Sequence, residues 1–210
     1  MEKNQDLNEN SKVEYQFKTT AQYYNALRYS AKYVQEKIGE ADVAVVLGSG
    51  LGCLVEVLED PLSLEYSEVP FMPKTSVVGH GKTLYNGKIG DKRVLLWSGR
   101  VHMYEGYSSD KLTFITYLSA FVGCKYIILT NSSGGGLVGM KHGSLMVSKD
   151  HINYAAKCPI PATFNDSRFG ERNPKSSKCL SEYLKNLAKQ VAEENDVELF
   201  EGNYAWTAGP

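Results

Sequence analysis

Ser49, His80, Arg100 and His102, together with the backbone amides of Ser132 to Gly134, are the groups in this chain best suited to holding an oxyanion. Arg100 offers a planar guanidinium fork, serine a hydroxyl donor and histidine a ring N–H. Two of the segments are glycine-rich, and each follows an apolar run: 45–52 reads VVLGSGLG and 128–136 reads ILTNSSGGG. Glycine lets the backbone come close to an anion, and successive N–H groups in such a turn form a partial positive cradle. Where the turn opens a helix, the helix dipole adds to that field. One such turn can be a tight connection and nothing more, whereas two of them, both carrying serine, favour an anion site. Taken singly, Arg100 reads as half of a surface ion pair and each histidine as a structural residue. Tyr104, Phe169 and Tyr204 lie in or near the same polar loops and singly read as packing aromatics.

Three other motifs carry less. GSGLG lacks the third glycine of a dinucleotide fingerprint, and no later strand ends in an acidic residue at the required distance. Ser76 to Thr83 (SVVGHGKT) has serine where a P-loop needs its first glycine, and a strand-like stretch follows where a helix should open. His102 and Glu105 have a metal-pair spacing, but no third ligand stands out, so no metal site is assigned.

The elements that must position these groups alternate. Thr20 to Gly39 has Tyr24, Leu27, Ala31, Val34 and Ile38 on one helical face. Ala41 to Leu47 and Lys125 to Thr130 are apolar on both pleat faces, the pattern of buried parallel strands. Leu51 to Leu58 reads as a short helix, and Thr83–Ile89 with Arg93–Trp97 as a hairpin about Gly90-Asp91. Ser109 to Val122 reads as a helix with Ser109 as its cap and Gly123 as its stop. Leu145–Val147 reads as a strand, and Lys157 to Lys175 as a proline-containing loop. Ser177 to Asn195 reads as an amphipathic helix with Leu180, Leu184, Leu187 and Val191 in register, and Val197 to Thr207 as a last strand. The order predicts an α/β fold with a mixed, mostly parallel central sheet flanked by helices on both faces, ligands sitting beyond the carboxyl ends of the strands.

Composition sets the wider frame. Lys+Arg total 23 and Asp+Glu 24, a net charge of −1, which argues against a general nucleic-acid binder. No apolar run approaches the ~20 residues of a membrane span. Met1 to Lys12 is a polar tail without the apolar region of a signal peptide, which leaves 13–210 as a single domain and a cytoplasmic location as the expectation. Cys53, Cys124, Cys158 and Cys179 match no zinc or CxxC spacing and read as reduced, mostly packing thiols.

Seven segments occur in the order found in trimeric purine nucleoside phosphorylases, which the chain resembles from about Thr20 to Pro210. They are VVLGSGLG, Gly79-His80-Gly81, 98–106 (SGRVHMYEG), 130–135 (TNSSGG), Asp150-His151-Ile152-Asn153, 165–172 (NDSRFGER) and Ala208-Gly209-Pro210. SGRVHMYEG is the most specific of them. The resemblance implies phosphate-dependent cleavage of purine ribo- and 2′-deoxyribonucleosides to free base and (2-deoxy)ribose 1-phosphate, in purine salvage. It implies phosphate binding by Ser49, His80, Arg100, His102 and the Ser132 amide. Tyr104 and Tyr204 would contact the ribose, and Phe169 would reach a neighbouring subunit's site in a homotrimer. His102 and Glu105 would serve catalysis, Glu105 orienting His102 or the nucleophile. Inorganic phosphate is then a co-substrate, and no metal or organic cofactor is expected.

Ser132-Ser133 stand where the family commonly has alanines, a change that keeps the backbone donor. The family continues past its Ala-Gly-Pro into a stretch carrying a base-gripping Glu, an Asn and a ribose-side His. On this comparison the fold lacks its C-terminal part, the preferred base is not legible, and the 210-residue chain alone is expected to turn over poorly. The competing expectations are a non-catalytic homologue acting as a ligand-binding or regulatory subunit, and a dinucleotide-dependent enzyme using GSGLG.

Overall fold

The Thr19 hydroxyl accepts the Gln22 amide at the start of α1 (Thr20–Ile38), giving the first helix a side-chain cap. The structure, a computed structural model, describes residues 16–74, 82–155, 166–171 and 179–207. The polar tail, His80, most of the 157–175 loop, Cys158 and the Ala208-Gly209-Pro210 end lie outside the described residues. Leu27, Ala31, Val34 and Ile38 of α1 are buried as the spacing predicts, but the stripe starts at Tyr23 rather than Tyr24. Tyr23 turns its ring into the core and donates its hydroxyl to the Asp110 carbonyl at 2.7 Å.

The remaining elements follow in chain order. They are β1 (Val43–Val46), a 3₁₀ turn (Gly52–Val57), β2 (Glu59–Glu65), β3 (Thr83–Ile89), β4 (Lys92–Trp97) and a 3₁₀ turn (Met103–Glu105). Then come α2 (Ser109–Leu112), α3 (Phe114–Val122), β5 (Tyr126–Leu129), β6 (Leu145–Asn153), a 3₁₀ turn (Ser167–Phe169), α4 (Glu182–Glu194) and β7 (Leu199–Trp206). The expected single helix over 109–122 is thus two, broken at Thr113, and Ser108 rather than Ser109 stands at the cap position. The main sheet has the order β2-β3-β4-β1-β5. β1 is parallel to both β4 and β5, while β2, β3 and β4 form an antiparallel meander. β6 and β7 pair in parallel as a second, two-stranded sheet.

The pleat sorts the core. Ala44, Val46, Leu95 and Trp97 face α1 and α3 and join one cluster with Tyr23, Leu27, Phe114 and Leu118. Leu47, Val94 and Leu96 face the other way, against Leu58 and the partly buried Leu51, Leu54 and Val55 of the first 3₁₀ turn. Trp97 finds its polar partner in Ser119, whose hydroxyl accepts the indole N–H at 2.9 Å.

β5 departs from expectation. Among the described residues it is an edge strand, bonded to β1 alone, with Tyr126, Ile128 and Leu129 exposed and Ile127 packed on the core. Among the described residues the cluster on the second face packs the first 3₁₀ turn on β4 and β1 and includes no residue of β5. α4 departs in the same way. Ser181 caps it, yet Leu187 and Val191 of its apolar stripe are exposed and Ala192 is its buried residue. An amphipathic pattern states which face can be buried, not what lies over it.

Candidate active site

The three parallel strands end level with one another. Val46 of β1 stands opposite Trp97 of β4 on one side and Leu129 of β5 on the other. The loops that follow, 47–52, 98–102 and 130–136, therefore leave the sheet at one edge, the edge where ligands bind in open α/β sheets. Ser49, Arg100, His102 and Ser132 all lie on these loops, and Ser49 and Ser132 are exposed.

The two glycine-rich loops touch. A β-carbon on Gly48 would stand 2.8 Å from Asn131 Cα and 2.9 Å from the Thr130 carbonyl oxygen, so only glycine allows this approach. Thr130 closes the junction: its Oγ1 accepts the Gly48 amide at 2.7 Å and donates to the Val46 carbonyl at 2.8 Å.

Arg100 is half-buried, and its Nη1 donates to the Leu47 carbonyl at 2.9 Å, which ties the β4 loop to the first glycine loop. Burial holds the guanidinium below the usual arginine range, while the nearby Tyr204 and Tyr104 phenols act in the opposite sense. Both aromatics singled out from the sequence for the sugar thus lie near this cation. The turn leading to Arg100 is held from two sides. Ser98 Oγ donates to the Thr83 carbonyl at 2.7 Å and accepts the Thr83 amide at 3.0 Å. The buried Tyr66 hydroxyl donates to the Gly99 carbonyl at 2.7 Å and lies 3.2 Å from the Gly99 nitrogen.

His102 and Glu105 bracket the second 3₁₀ turn. Glu105 Oε1 accepts the His102 amide at 2.7 Å and lies 3.2 Å from His102 Nδ1, with the carboxylate side chain only 3% exposed. With the Nδ1 proton directed at Glu105, a neutral ring offers Nε2 only as an acceptor, whereas a charged ring offers Nε2–H to an anion. Tyr104 is exposed and stacks on the His102 ring at 4.9 Å and 13°. Gly106 ends the turn at φ 87°, in the left-handed region.

Tyr204 stands opposite His151 across the β6–β7 pair, with the rings edge-to-face at 6.0 Å. Cys179 Sγ lies 3.9 Å from His151 Nδ1. Phe169 packs within its own chain, stacked on Tyr23 at 5.7 Å and edge-on to Tyr24 and Tyr117. Arg168 beside it lies 4.1 Å over the Tyr24 ring, and its hydrogen bonds hold the Asp166 carboxyl down at about 2. Phe169 thus packs on α1 and α3 of its own chain, and His80 lies outside the described residues.

Sequence reasoning passed over Tyr66 and Thr130. Tyr66 belongs to no motif and carries no spacing signal. Thr130 was legible only as the first residue of TNSSGG, where threonine at the end of an apolar run could have been read as a backbone-bonding hydroxyl. Among the described residues no group of three or more His, Cys, Asp or Glu is placed to hold a metal ion, and no helix is long and apolar enough to cross a membrane. Cys53 and Cys179 are exposed rather than packed, leaving Cys124 as the one of the three described cysteines that is partly buried.

Residues 42–210 match the model of the Phosphorylase superfamily. The chain is 36% identical over 186 residues to "Purine nucleoside phosphorylase 1" of Geobacillus stearothermophilus, covering 88% of this chain and 68% of that one. It is 37% identical over 175 residues to "Purine nucleoside phosphorylase" of Rattus norvegicus, covering 80% and 60%. Among solved structures it is similar to isoform 2 of purine nucleoside phosphorylase from Schistosoma mansoni in complex with cytosine and ribose-1-phosphate. The TM-score there is 0.82 at 32% identity, with 89% of this chain and 67% of that one covered. The chain spans about two thirds of the length of these relatives.

Proposed function

The chain belongs to the phosphorylase superfamily, within it to the purine nucleoside phosphorylases, and from that premise we propose that it cleaves purine ribo- and 2′-deoxyribonucleosides with inorganic phosphate. The products are the free base and (2-deoxy)ribose 1-phosphate. The observation that carries the reading is the level ending of β1, β4 and β5, which brings Ser49, Arg100, His102 and the Ser132 amide to one sheet edge.

In this mechanism the phosphate dianion is bound by Arg100, His102, His80, Ser49 and the Ser132 amide. The C1′–N9 bond breaks with its electron pair leaving on the purine, through an oxocarbenium-like state. A phosphate oxygen bonds to C1′ from the opposite face, so a dianion held beneath C1′ both stabilises the cation and attacks it. Glu105 holds His102 by its main chain and ring. Tyr104 and Tyr204 wall the sugar and keep water out, which limits hydrolysis. The protein supplies position and charge, and the reaction needs no metal or organic cofactor. The assembly is a homotrimer in which Phe169 borders a neighbour's site, and the enzyme serves purine salvage in the cytoplasm.

The test is release of hypoxanthine from inosine with and without phosphate. Turnover is expected only with phosphate, and Arg100→Ala is expected to lower it by about 10²–10³. Hydrolysis independent of phosphate, or an Arg100→Ala variant with wild-type turnover, would refute the proposal.

A further inference from the structure

We propose that Tyr66 is a positioning residue for phosphate: its hydroxyl locks the Gly99 backbone and so aims the Arg100 guanidinium. The inference rests on the reading of Arg100 as a phosphate ligand.

Gly99 is the residue whose dihedrals set the direction in which Arg100 leaves the sheet. Glycine has the widest backbone freedom of any residue, so an unrestrained Gly99 would let the guanidinium wander. The restraint comes from one atom. Tyr66 Oη donates to the Gly99 carbonyl at 2.7 Å and accepts from its amide at 3.2 Å, and so takes both main-chain polar groups of that glycine.

The hydroxyl is itself fixed. Tyr66 is 5% exposed, and its ring lies against Trp97 with centroids 5.6 Å apart. Its amide donates to the Lys82 carbonyl at 2.7 Å. Burial pushes the phenol far above its ordinary value, so it remains a neutral donor at any working pH. Tyr66 and Arg100 line one small cavity with Met72, Pro73, Val101 and Ile115, whose free volume is about 10 Å³. That is room for about one water.

Tyr66 thus fixes the root of the Arg100 side chain, and the Leu47 carbonyl fixes its tip. A shift of about 1 Å in a positioned group can cost up to about 10²-fold. Tyr66 touches neither phosphate nor nucleoside in this scheme; it acts through Arg100.

The experiment compares Tyr66→Phe, Ser98→Ala and Arg100→Ala in steady-state kinetics on inosine and in calorimetric titration with inorganic phosphate. Tyr66→Phe keeps the ring on Trp97 and removes only the hydroxyl. Its phosphate KM and Kd are expected to rise about 10-fold with the inosine KM unchanged, a split that general loosening of the fold would not give. Ser98→Ala frees the same turn from its Thr83 side and is expected to move phosphate affinity in the same direction, so the inference stays testable should Tyr66→Phe not fold. Wild-type phosphate affinity in Tyr66→Phe, or equal rises in both KM values, overturns the inference while a weakened Arg100→Ala leaves the phosphate reading standing. Wild-type phosphate affinity in Arg100→Ala removes that reading and the inference with it.

Discussion

Thr130 and Gly48 are joined by a 2.7 Å hydrogen bond from the Gly48 amide to the threonine hydroxyl, and this bond joins the ends of β1 and β5. Through it the two glycine-rich loops become one surface rather than two separate turns. Gly48 is buried there, with Asn131 and Thr130 backbone atoms where a side chain would be.

Gly48→Ala should therefore fail on sterics. Its new β-carbon would meet backbone at 2.8 and 2.9 Å, and backbone cannot swing aside as a side-chain tip can. Overpacking of this kind costs about 1–3 kcal/mol. For a domain of this size that is a fall in Tm of roughly 2–12 °C. The same displacement separates the loops, so phosphate KM is expected to rise with it. Calorimetric melting and phosphate kinetics check both, and a variant with wild-type Tm would show that the loops have slack.

Much of this arrangement was legible in the residues, and the misses have physical causes. The hairpin about Gly90-Asp91 and the burial of Leu27, Ala31, Val34 and Ile38 follow from local periodicity, which local sequence carries in full. β2 was hidden because its sequence, EDPLSLE, has acidic residues and a proline where a strand should alternate. It is tolerated because β2 is an edge strand, with a register shift between Glu59 and Leu62 and Asp60 at φ 47°. β5 reads as buried from composition alone, but burial depends on neighbours, and among the described residues it has one strand beside it. At the site, side chains on loops after apolar runs could be picked out by type. The bonds that aim them could not, because Tyr66 and Gly99 are 33 residues apart and Gly48 and Thr130 are 82 apart.

Glu105 offers a separable test of hydrogen bonding and charge. One carboxylate oxygen serves both the His102 amide and the His102 ring. Glu105→Ala removes a cap and leaves the amide donor without its acceptor, at a cost of about 1 kcal/mol. Glu105→Gln keeps an oxygen for the amide but not the charge beside the ring. The expected order of stability in urea unfolding is wild type close to Gln, with Ala below both. Turnover is expected to fall about 10-fold in Glu105→Gln, because the ring loses the carboxylate that sets its proton position. Equal stabilities for the Gln and Ala variants would show that the cap bond contributes nothing.

The cysteines give a prediction with a definite sign in pH. Burial pushes the Cys124 thiol up to about 11, the Asp42 carboxylate adding to the effect, whereas Cys53 and Cys179 are exposed. A thiol of that pKa is only about a thousandth thiolate at pH 8, and the thiolate is the form that alkylates. Iodoacetamide at pH 8, followed by peptide mass spectrometry, is expected to label Cys53 and Cys179 first, with Cys124 at least about 10-fold slower. Raising the pH should speed Cys124 about tenfold per unit until the thiol is ionised. The same shift acts on folding. A thiol in the unfolded chain ionises near about 8.5, so between roughly pH 9 and 11 the folded state keeps a proton that the unfolded state has lost. That favours unfolding as pH rises, and Cys124→Ala should lessen the alkaline fall in stability across this window. Labelling of Cys124 at pH 8 as fast as Cys53 would show that the thiol is not held in its neutral form.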